Sequence, residues 1–280
     1  METEKQPSPE DQGGGAAPPA RSASEDGRGG EAALRLEKRT HLDSGRYRIT
    51  LRDYGDGLGE IGWSFMSSLR PSKAGRGFSE EREEHEQRAV RRARSRIRHL
   101  ILATSADHLL TLTYRENVTD FNRACADLSK FVRSVKAKCP GWVYIAVPEQ
   151  QKRGAWHWHM AVRGRQDVAL LRSTWRHIVG EGNIDVNPPR GVGKKRAFAL
   201  VKYLGKYLAK GFSEGNRALN GRRFRASLGI PVPCESITLP AAERANVSGY
   251  ELDQLQAATG AVGYVWESGD TLAGWACSWK

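Results

Sequence analysis

Two histidines separated by one residue, His157 and His159, are the first residues whose types and spacing could support chemistry. Residues 155–162 alternate as a β-strand, and side chains two positions apart in a strand point to the same face. Both imidazoles would therefore face one way, while Trp158 would face the opposite way into a core. Neutral imidazoles are common ligands of divalent metal ions. Two surface histidines would show the same spacing, so a further ligand is needed to favour a metal site.

A carboxylate upstream of the histidines could supply that ligand. If residues 152–154 form a three-residue hairpin loop with Gly154 in the left-handed conformation, Gln151 pairs with Ala155. Glu149 then lies opposite His157 on the same strand face. Two imidazoles and a carboxylate form an incomplete coordination shell, which can bind a divalent ion and a substrate oxygen together. Gln151 falls on the same face and could take the place of Glu149.

A predicted helix over about residues 196–210 carries two separate stripes of side chains at roughly 100° per residue. The apolar stripe would face the core and contains Leu200, Val201, Leu204 and Leu208. The adjacent stripe contains Tyr203, Lys206, Tyr207 and Lys210. Tyrosines used only for packing would be expected on the apolar stripe, so these phenols are available to a cleft. A phenol with a pKa near 10 attacks a phosphodiester only with the help of nearby cations and a metal.

Positive charge is concentrated in the same part of the chain. The 280 residues include 44 Lys and Arg against 32 Asp and Glu, a formal net charge of +12. Between residues 190 and 225, eleven basic residues stand against one acid, Glu214. Clustered cations bind a nucleic acid by releasing its counterions, although a solvated basic face is the alternative interpretation. The residues expected to contact nucleic acid are Arg190, Lys194, Lys195, Arg196, Arg222, Arg223 and Arg225.

Composition excludes several classes of protein. A content of 39% hydrophobic and 27% charged residues is typical of a globular chain. No apolar run reaches the roughly 20 residues that cross a bilayer, and the N-terminus lacks the features of a signal peptide. We therefore expect a cytoplasmic protein without membrane contact. The four scattered cysteines disfavour a disulfide framework, and the chain has no GxxxxGK[ST] phosphate loop of a helicase.

The central elements must position these residues. Alternation predicts strands over residues 109–115, 142–149, 155–162 and 183–187. Helical spacing predicts one helix over residues 121–135, with a stop at Cys139-Pro140-Gly141, and another over residues 170–180. This order predicts an α+β fold, in which an antiparallel sheet carries helices packed on one side.

The two ends of the chain are less informative. Residues 1–40, rich in Gly, Pro and Ala, are predicted to be a disordered leader. Residues 41–99 are predicted to contain a hairpin over residues 47–65 and a helix capped by Ser79. That helix has acids first and arginines (residues 91–98) last, which suits a helix dipole. Residues 100–230 would form the catalytic domain, and residues 231–280 an extension of unknown role.

In chain order, the central motifs resemble those of the HUH endonucleases, specifically the rolling-circle replication initiators of bacterial plasmids and single-stranded DNA phages. The family's Thr-containing hydrophobic strand is matched by residues 110–114, and its His-hydrophobe-His motif by residues 149–159. Its tyrosine helix is matched by residues 203–210. The basic segment at residues 222–230 also resembles one that follows the tyrosine helix in phage relatives. The resemblance covers about residues 100–230.

The resemblance implies a metal-dependent DNA endonuclease and strand transferase. Glu149, His157 and His159 would hold Mg²⁺ or Mn²⁺, and one or both of Tyr203 and Tyr207 would be nucleophiles. The product would be a 5′-phosphotyrosine and a free 3′-hydroxyl that primes synthesis. Implied partners are single-stranded or hairpin-extruded origin DNA and a host replication helicase, in a bacterial cytoplasm.

Two alternatives stay open at this point. Two-tyrosine transposases and relaxases use the same chemistry, although relaxases usually have a third histidine in the metal motif and are longer. A DNA-binding regulator without enzymatic activity would use the histidine pair only as a structural element. Metal-dependent nicking would distinguish an enzyme from such a regulator.

Overall fold

The structure is a computed structural model that describes residues 45–67, 82–191, 193–213 and 222–279. The predicted leader over residues 1–40 and the predicted cap Ser79 lie outside these ranges. Within them the chain forms two antiparallel sheets with five α-helices packed on them, so the α+β class is confirmed. The strands are β1 (Arg46–Asp53), β2 (Gly59–Met66), β3 (His108–Tyr114), β4 (Tyr144–Gln150), β5 (Trp156–Val162), β6 (Gly182–Asn187), β7 (Arg225–Ala226), β8 (Glu235–Pro240), β9 (Tyr264–Glu267) and β10 (Ala273–Cys277). The helices are α1 (Arg82–Thr104), α2 (Phe121–Lys138), α3 (Val168–Val179), α4 (Lys194–Ser213) and α5 (Arg244–Thr259).

The sheet that carries the histidines, here called the histidine sheet, has the strand order β6-β3-β5-β4-β7. All residues of its central strand β5 are buried, which requires cover on both faces. One face packs against α2 and α3 through Trp158, Phe131 and Trp175. The other packs against α1 and α4 through residues such as Ile101 and Leu204. Helices thus lie on both faces, and the expectation of helices on one side is corrected.

Helices α2 and α3 begin and end where local signals predict. Asp120 accepts a hydrogen bond from the Asn122 amide at the start of α2, and α2 ends at Cys139. Asp167 caps the Leu170 amide of α3, which ends at Gly180 with a φ of +75°. These caps fix the two helices that cover the face away from the histidines.

Helix α1 departs from its predicted charge pattern. It continues past Arg98 to Thr104, and its last turn contains no basic residue. Its C-terminal part is buried in the core beneath the histidine sheet through Ile97, Leu100 and Ile101. The arginines therefore lie within the helix, where the macrodipole has little effect. The expected match between arginines and the helix dipole is wrong, because apolar burial determines where this helix ends.

The second sheet, here called the terminal sheet, has the strand order β8-β1-β2-β10-β9. The predicted hairpin is confirmed as β1 and β2, with Tyr47 opposite Phe65. Strands β8, β9 and β10 complete the sheet, and α5 packs on one face through Val247 and Leu255. Residues 231–280, for which the sequence predicted no element, therefore contribute three strands and a helix.

A buried carboxylate, Glu60 on β2, joins the terminal sheet to α1. It accepts hydrogen bonds from Tyr54 Oη at 3.0 Å, Arg98 Nε at 2.8 Å and Trp275 Nε1 at 3.1 Å. His99 Nε2 lies 2.8 Å from its Oε1. Burial alone raises the pKa of this carboxyl, but the hydrogen bond with His99 and the charge of Arg98 outweigh burial and lower the pKa to about 2. Glu60 is therefore ionised at neutral pH, and donors from both elements stabilise its charge.

Candidate active site

The histidine pair lies on β5, on the sheet face that α4 covers. His157 and His159 are buried, at 8% and 5% exposure. The predicted register is confirmed, because Glu149 pairs with His157 across the β4–β5 ladder and the Gln151 amide donates to Ala155 O at 2.8 Å. Gly154 has a φ of +85°, the left-handed conformation that the three-residue loop requires.

Glu149 is held between a histidine and a lysine. Its Oε2 lies 2.7 Å from His159 Nε2, and its Oε1 accepts a hydrogen bond from Lys210 Nζ at 3.2 Å. Burial lowers the pKa of His159, although the hydrogen bond and charge of Glu149 act in the opposite direction. A neutral His159 donates its Nε2 proton to Glu149 and can accept at Nδ1 from the Thr111 hydroxyl, 3.3 Å away.

His157 has a ring nitrogen without a partner. Its Nε2 is buried and makes no hydrogen bond among the described residues. Its Nδ1 lies 3.4 Å from Gln151 Nε2. Burial lowers the pKa of His157, and the neighbouring His159 lowers it further, so the ring is neutral. A buried polar atom without a partner costs about 1–3 kcal/mol, which a bound ligand would recover.

The donor types on this face fit a divalent metal ion. Two neutral imidazoles and a carboxylate converge, and His157 Nε2 is free to bind. Across the described ranges, however, no group of three or more His, Cys, Asp or Glu side chains is arranged so that it could hold a metal ion. The carboxylate of Glu149 is already engaged by His159 and Lys210. Binding of a cation would therefore have to replace the contact between His159 and Glu149.

Two tyrosines of α4 lie against the His159 ring. The Tyr207 ring stacks on it, with centroids 4.3 Å apart and an interplanar angle of 25°. Tyr203 meets the same ring edge-on at 5.4 Å, and the two phenol rings are 4.8 Å apart. The leucines of the adjacent stripe, Leu200, Leu204 and Leu208, are buried. The predicted division of α4 into an apolar stripe and a tyrosine stripe is confirmed.

The two tyrosines have different electrostatic surroundings. Burial raises the pKa of Tyr203 well above its ordinary value, and a hydrogen bond with Tyr207 and the negative charges of Glu149 and Asp185 raise it further. Lys206 Nζ lies 5.8 Å from the centroid of the Tyr207 ring. The other lysine expected beside Tyr207, Lys210, pairs instead with Glu149. Ionisation of Tyr203 is therefore opposed, whereas a cation accompanies Tyr207.

Two further residues face the site. Thr111, which the sequence placed only in a strand motif, pairs with His159 in the ladder and hydrogen-bonds its ring. Asp185 on β6 pairs with Thr111 and was not singled out from the sequence. It is exposed between buried Ile184 and half-buried Val186. This alternation along β6 was the available signal, because it places Asp185 and Thr111 on one face.

The predicted DNA-contacting residues form two separate groups. The first lies at or just before the start of α4, where Arg190, Lys194 and Lys195 are exposed. Arg196 in the same turn is half-buried and donates from Nε to Gly191 O at 2.9 Å. This group places several cations beside the free amides of a helix N-terminus.

The second group lies near the edge strand β7. Arg222 is exposed, whereas Arg223 forms an ion pair with Glu86 of α1 at 3.1 Å. Arg225 pairs with Ala146 across the β4–β7 ladder. Residues 214–221, between the two groups, lie outside the described ranges.

The segment that contains this site matches a known protein family. Residues 107–212 match the family model of the ORF2-type replication-associated proteins. The match is to rolling-circle replication initiators. The initiator-like segment runs from the start of β3 into α4 and includes the histidines, Glu149 and both tyrosines. The resemblance drawn from the motifs is thus confirmed for this segment, and it supports a role in replication initiation with DNA as a partner.

Other comparisons add little to the initiator match. One solved structure, that of the hypothetical protein ORF119 from Sulfolobus islandicus rod-shaped virus 1, is 11% identical with a TM-score of 0.31. The alignment covers 45% of this chain and 97% of that chain, and a TM-score this low carries no argument. No curated protein matches the chain. In the part of the chain that the structure describes, no helix is long and apolar enough to span a membrane.

Proposed function

We propose that this protein nicks and rejoins single-stranded origin DNA through a tyrosine of α4 and so initiates rolling-circle replication. The observation that carries the proposal is the stacking of Tyr207 on His159, whose Nε2 lies 2.7 Å from Glu149. A nucleophile type and three metal-ligand side chains thus share one sheet face. They lie in the segment that matches rolling-circle initiators.

The proposed reaction is a transesterification. The phenolic oxygen attacks the phosphorus of one phosphodiester, and the bond from phosphorus to the 3′-oxygen breaks. The phenol loses its proton, and the departing 3′-oxygen gains one to become the hydroxyl that primes synthesis. The 5′-phosphate stays on the tyrosine. Since one phosphodiester replaces another, attack by a 3′-hydroxyl on the phosphotyrosine rejoins DNA without a separate energy source.

Mg²⁺ or Mn²⁺, held by Glu149, His157 and His159, would polarise the scissile phosphate and neutralise its charge. His157 would bind through Nε2, the buried atom without a partner. Gln151 already lies beside Nδ1, and its amide oxygen, once turned toward the ring, would accept the Nδ1 proton and fix the tautomer. Lys210 would restrain the carboxylate of Glu149 from the opposite side.

Tyr207 is the better candidate for the first attack. Its ring lies flat on His159, whereas burial and neighbouring negative charge raise the pKa of Tyr203 and keep its phenol protonated. Lys206 beside the Tyr207 ring favours a developing phenolate. Tyr203 would then orient Tyr207 through their hydrogen bond or cut the regenerated origin in a second step.

The start of α4 is suited to the DNA backbone. Lys194, Lys195 and Arg196 lie in a first turn that contains no acid. Cations at this end oppose the helix dipole and destabilise an isolated helix, but a bound phosphate interacts favourably with both the cations and the free amides. At 1.5 Å per residue, about 20 Å of helix separates this turn from Tyr207.

Transposases and relaxases remain chemically equivalent alternatives, and the match to initiators over residues 107–212 favours the replication role. An initiator of this kind would act in a bacterial cytoplasm on single-stranded or hairpin-extruded DNA. Because the sequence has no GxxxxGK[ST] loop, a host helicase would unwind the duplex.

Covalent capture tests the proposal. The protein is incubated with Mn²⁺ and single-stranded DNA from its own replicon, and adducts are resolved on a denaturing gel. The unmodified protein and a Tyr250→Phe control should form an adduct, whereas Tyr203→Phe/Tyr207→Phe or added chelator should abolish it. Phenylalanine preserves ring packing, so the loss would report chemistry alone. DNA binding without any adduct would identify a regulator and overturn the proposal.

A further inference from the structure

The terminal sheet has one covered and one open face. Helix α5 packs on the face that holds Tyr47 and Trp63. Cross-strand partners share a face, so the register defines the side chains of the opposite face. One row across it runs Ser236, Thr50, Gly62, Trp275 and Trp266. Helix α1 contacts this face at Glu60, and most of the remaining side chains are exposed.

Aromatic side chains occupy one side of the open face. Trp266 and Tyr264 on the edge strand β9 are 50% and 52% exposed. The neighbouring Trp275 is held in place, because its Nε1 donates to Glu60 and the Arg98 guanidinium lies 4.8 Å from its ring centroid. Gly62, opposite Trp275, has no side chain to compete for this space. An exposed tryptophan beside a fixed one forms a flat apolar surface that the core of the protein does not need.

Positive charge occupies the other side of the same face. Arg46 and Arg48 on β1 are exposed, and neither forms an ion pair with an acid of the described residues. Asp53 and Glu235 belong to the opposite face by register. Among the strand residues of the open face, Glu60 supplies the negative charge, and it is only 1% exposed. The accessible part of this face is therefore basic and aromatic.

We propose that this open face binds single-stranded DNA at a second site, separate from the nicking site. Trp266 and Tyr264 would stack on unpaired bases, while Arg46 and Arg48 would contact phosphates, the combination that sequence-tolerant single-strand binding requires. A duplex hides its base faces, so the aromatic residues favour an unpaired strand. The residues lie outside the initiator-like segment, and binding here does not depend on the nicking chemistry.

Fluorescence anisotropy with labelled oligothymidylate and chelator, using the full chain, tests this site without cleavage. Trp266→Leu should weaken binding about tenfold, and Trp266→Phe should restore most of the affinity because its ring still stacks. Arg46→Gln/Arg48→Gln should reduce the slope of log affinity against log salt by about 1.4, the value for two phosphates of a single strand. The matched control is Arg133→Gln/Lys138→Gln, which removes the same charge from exposed positions of α2.

Further measurements separate this site from the nicking site and from other occupants. Tyr203→Phe/Tyr207→Phe should keep full affinity for oligothymidylate, and Trp266→Leu should still form the covalent adduct at saturating DNA. Affinity and salt slope equal to those of the α2 control in both variants would overturn the proposal. So would an equal loss of binding to duplex DNA, or a dimer in sedimentation that Trp266→Leu dissociates, because the face would then bind a second copy.

Discussion

The histidine sheet and the terminal sheet each have five antiparallel strands, but they expose different surfaces. Helices cover both faces of the histidine sheet, and its central strand is buried along its whole length. The terminal sheet is covered on one face, and both of its edge strands are largely exposed. Burial lowers the pKa of the two histidines, which keeps them neutral and therefore able to bind metal. Exposure leaves aromatic and basic side chains available to a large ligand.

The two sheets also differ in how they are assembled. The histidine sheet is built from one continuous part of the chain, residues 108–226, whereas the terminal sheet joins residues 46–66 with residues 235–277. Glu60 and its donors connect the two regions through α1. Substitutions confined to one sheet should therefore distinguish effects on nicking from effects on stability.

The largest expected effect follows from changing the buried histidine face. His159→Ala removes the ring that contacts both Glu149 and Tyr207, so nicking should fall about a thousandfold. His177→Ala changes a histidine of α3, on the far side of the histidine sheet, and serves as control. Single-turnover rates with both proteins check the prediction, and circular dichroism confirms that the fold is retained. A His159→Ala rate close to that of the control would separate the histidine face from the chemistry.

The next effect concerns the junction between the sheets. Glu60→Gln leaves Arg98 without its charged partner and should lower the free energy of unfolding by about 3 kcal/mol. The pKa of Glu60 is lowered from 4.5 to about 2, so its stabilising contribution is complete above pH 4.5 and is lost as the pH falls toward 2. Urea unfolding between these pH values measures both.

In that experiment the difference between the unmodified protein and Glu60→Gln should shrink as the pH falls. Glu235→Gln, at an exposed position of β8, should change neither stability nor its pH dependence. A difference that is constant with pH would show that the charge of Glu60 does not stabilise the junction.

A smaller effect is expected inside the terminal sheet. A Cβ atom at Gly274 would overlap the Trp63 ring, so Gly274→Ala should lower the free energy of unfolding by about 2 kcal/mol. Gly269→Ala, where nothing lies within 4 Å, is the matched control. Adduct formation by the folded Gly274→Ala protein should be unchanged. Loss of the adduct while the protein is folded would mean that the terminal sheet positions the active site.

The smallest effect is expected for the cations at the start of α4. Lys194→Gln/Lys195→Gln/Arg196→Gln should flatten the slope of log affinity against log salt by about 2, as expected for three phosphates. Nicking at low salt should fall only modestly, because Tyr207 and His159 are unchanged. A slope equal to that of the unmodified protein would show that this cluster is a solvated surface.

The histidine face could be predicted from the sequence because its determinants are local. One left-handed glycine, Gly154, fixes the hairpin and places Glu149 opposite His157, and helical spacing alone separates Tyr207 from the leucine stripe. The contacts made by Lys210 could not be predicted in this way, since the carboxylate it meets is 61 residues away.

The terminal sheet could not be predicted, because its pairing is non-local and its strands lack a buried alternating pattern. Glu60 and Trp275 are 215 residues apart in sequence. Strands β8 and β9 are largely exposed on both faces, so no hydrophobic period marks them. The arginines of α1 concealed its apolar end, and with it the second cover of the histidine sheet. The domain boundaries stay a prediction.

The most direct test of the central claim is to map the residue that carries DNA. The unmodified protein is allowed to react with single-stranded DNA from its replicon, digested, and analysed by mass spectrometry for a nucleotide-linked peptide. The account predicts a phosphodiester on Tyr207, the phenol that stacks on His159. Attachment to Tyr203 alone, or to any residue outside α4, would contradict it.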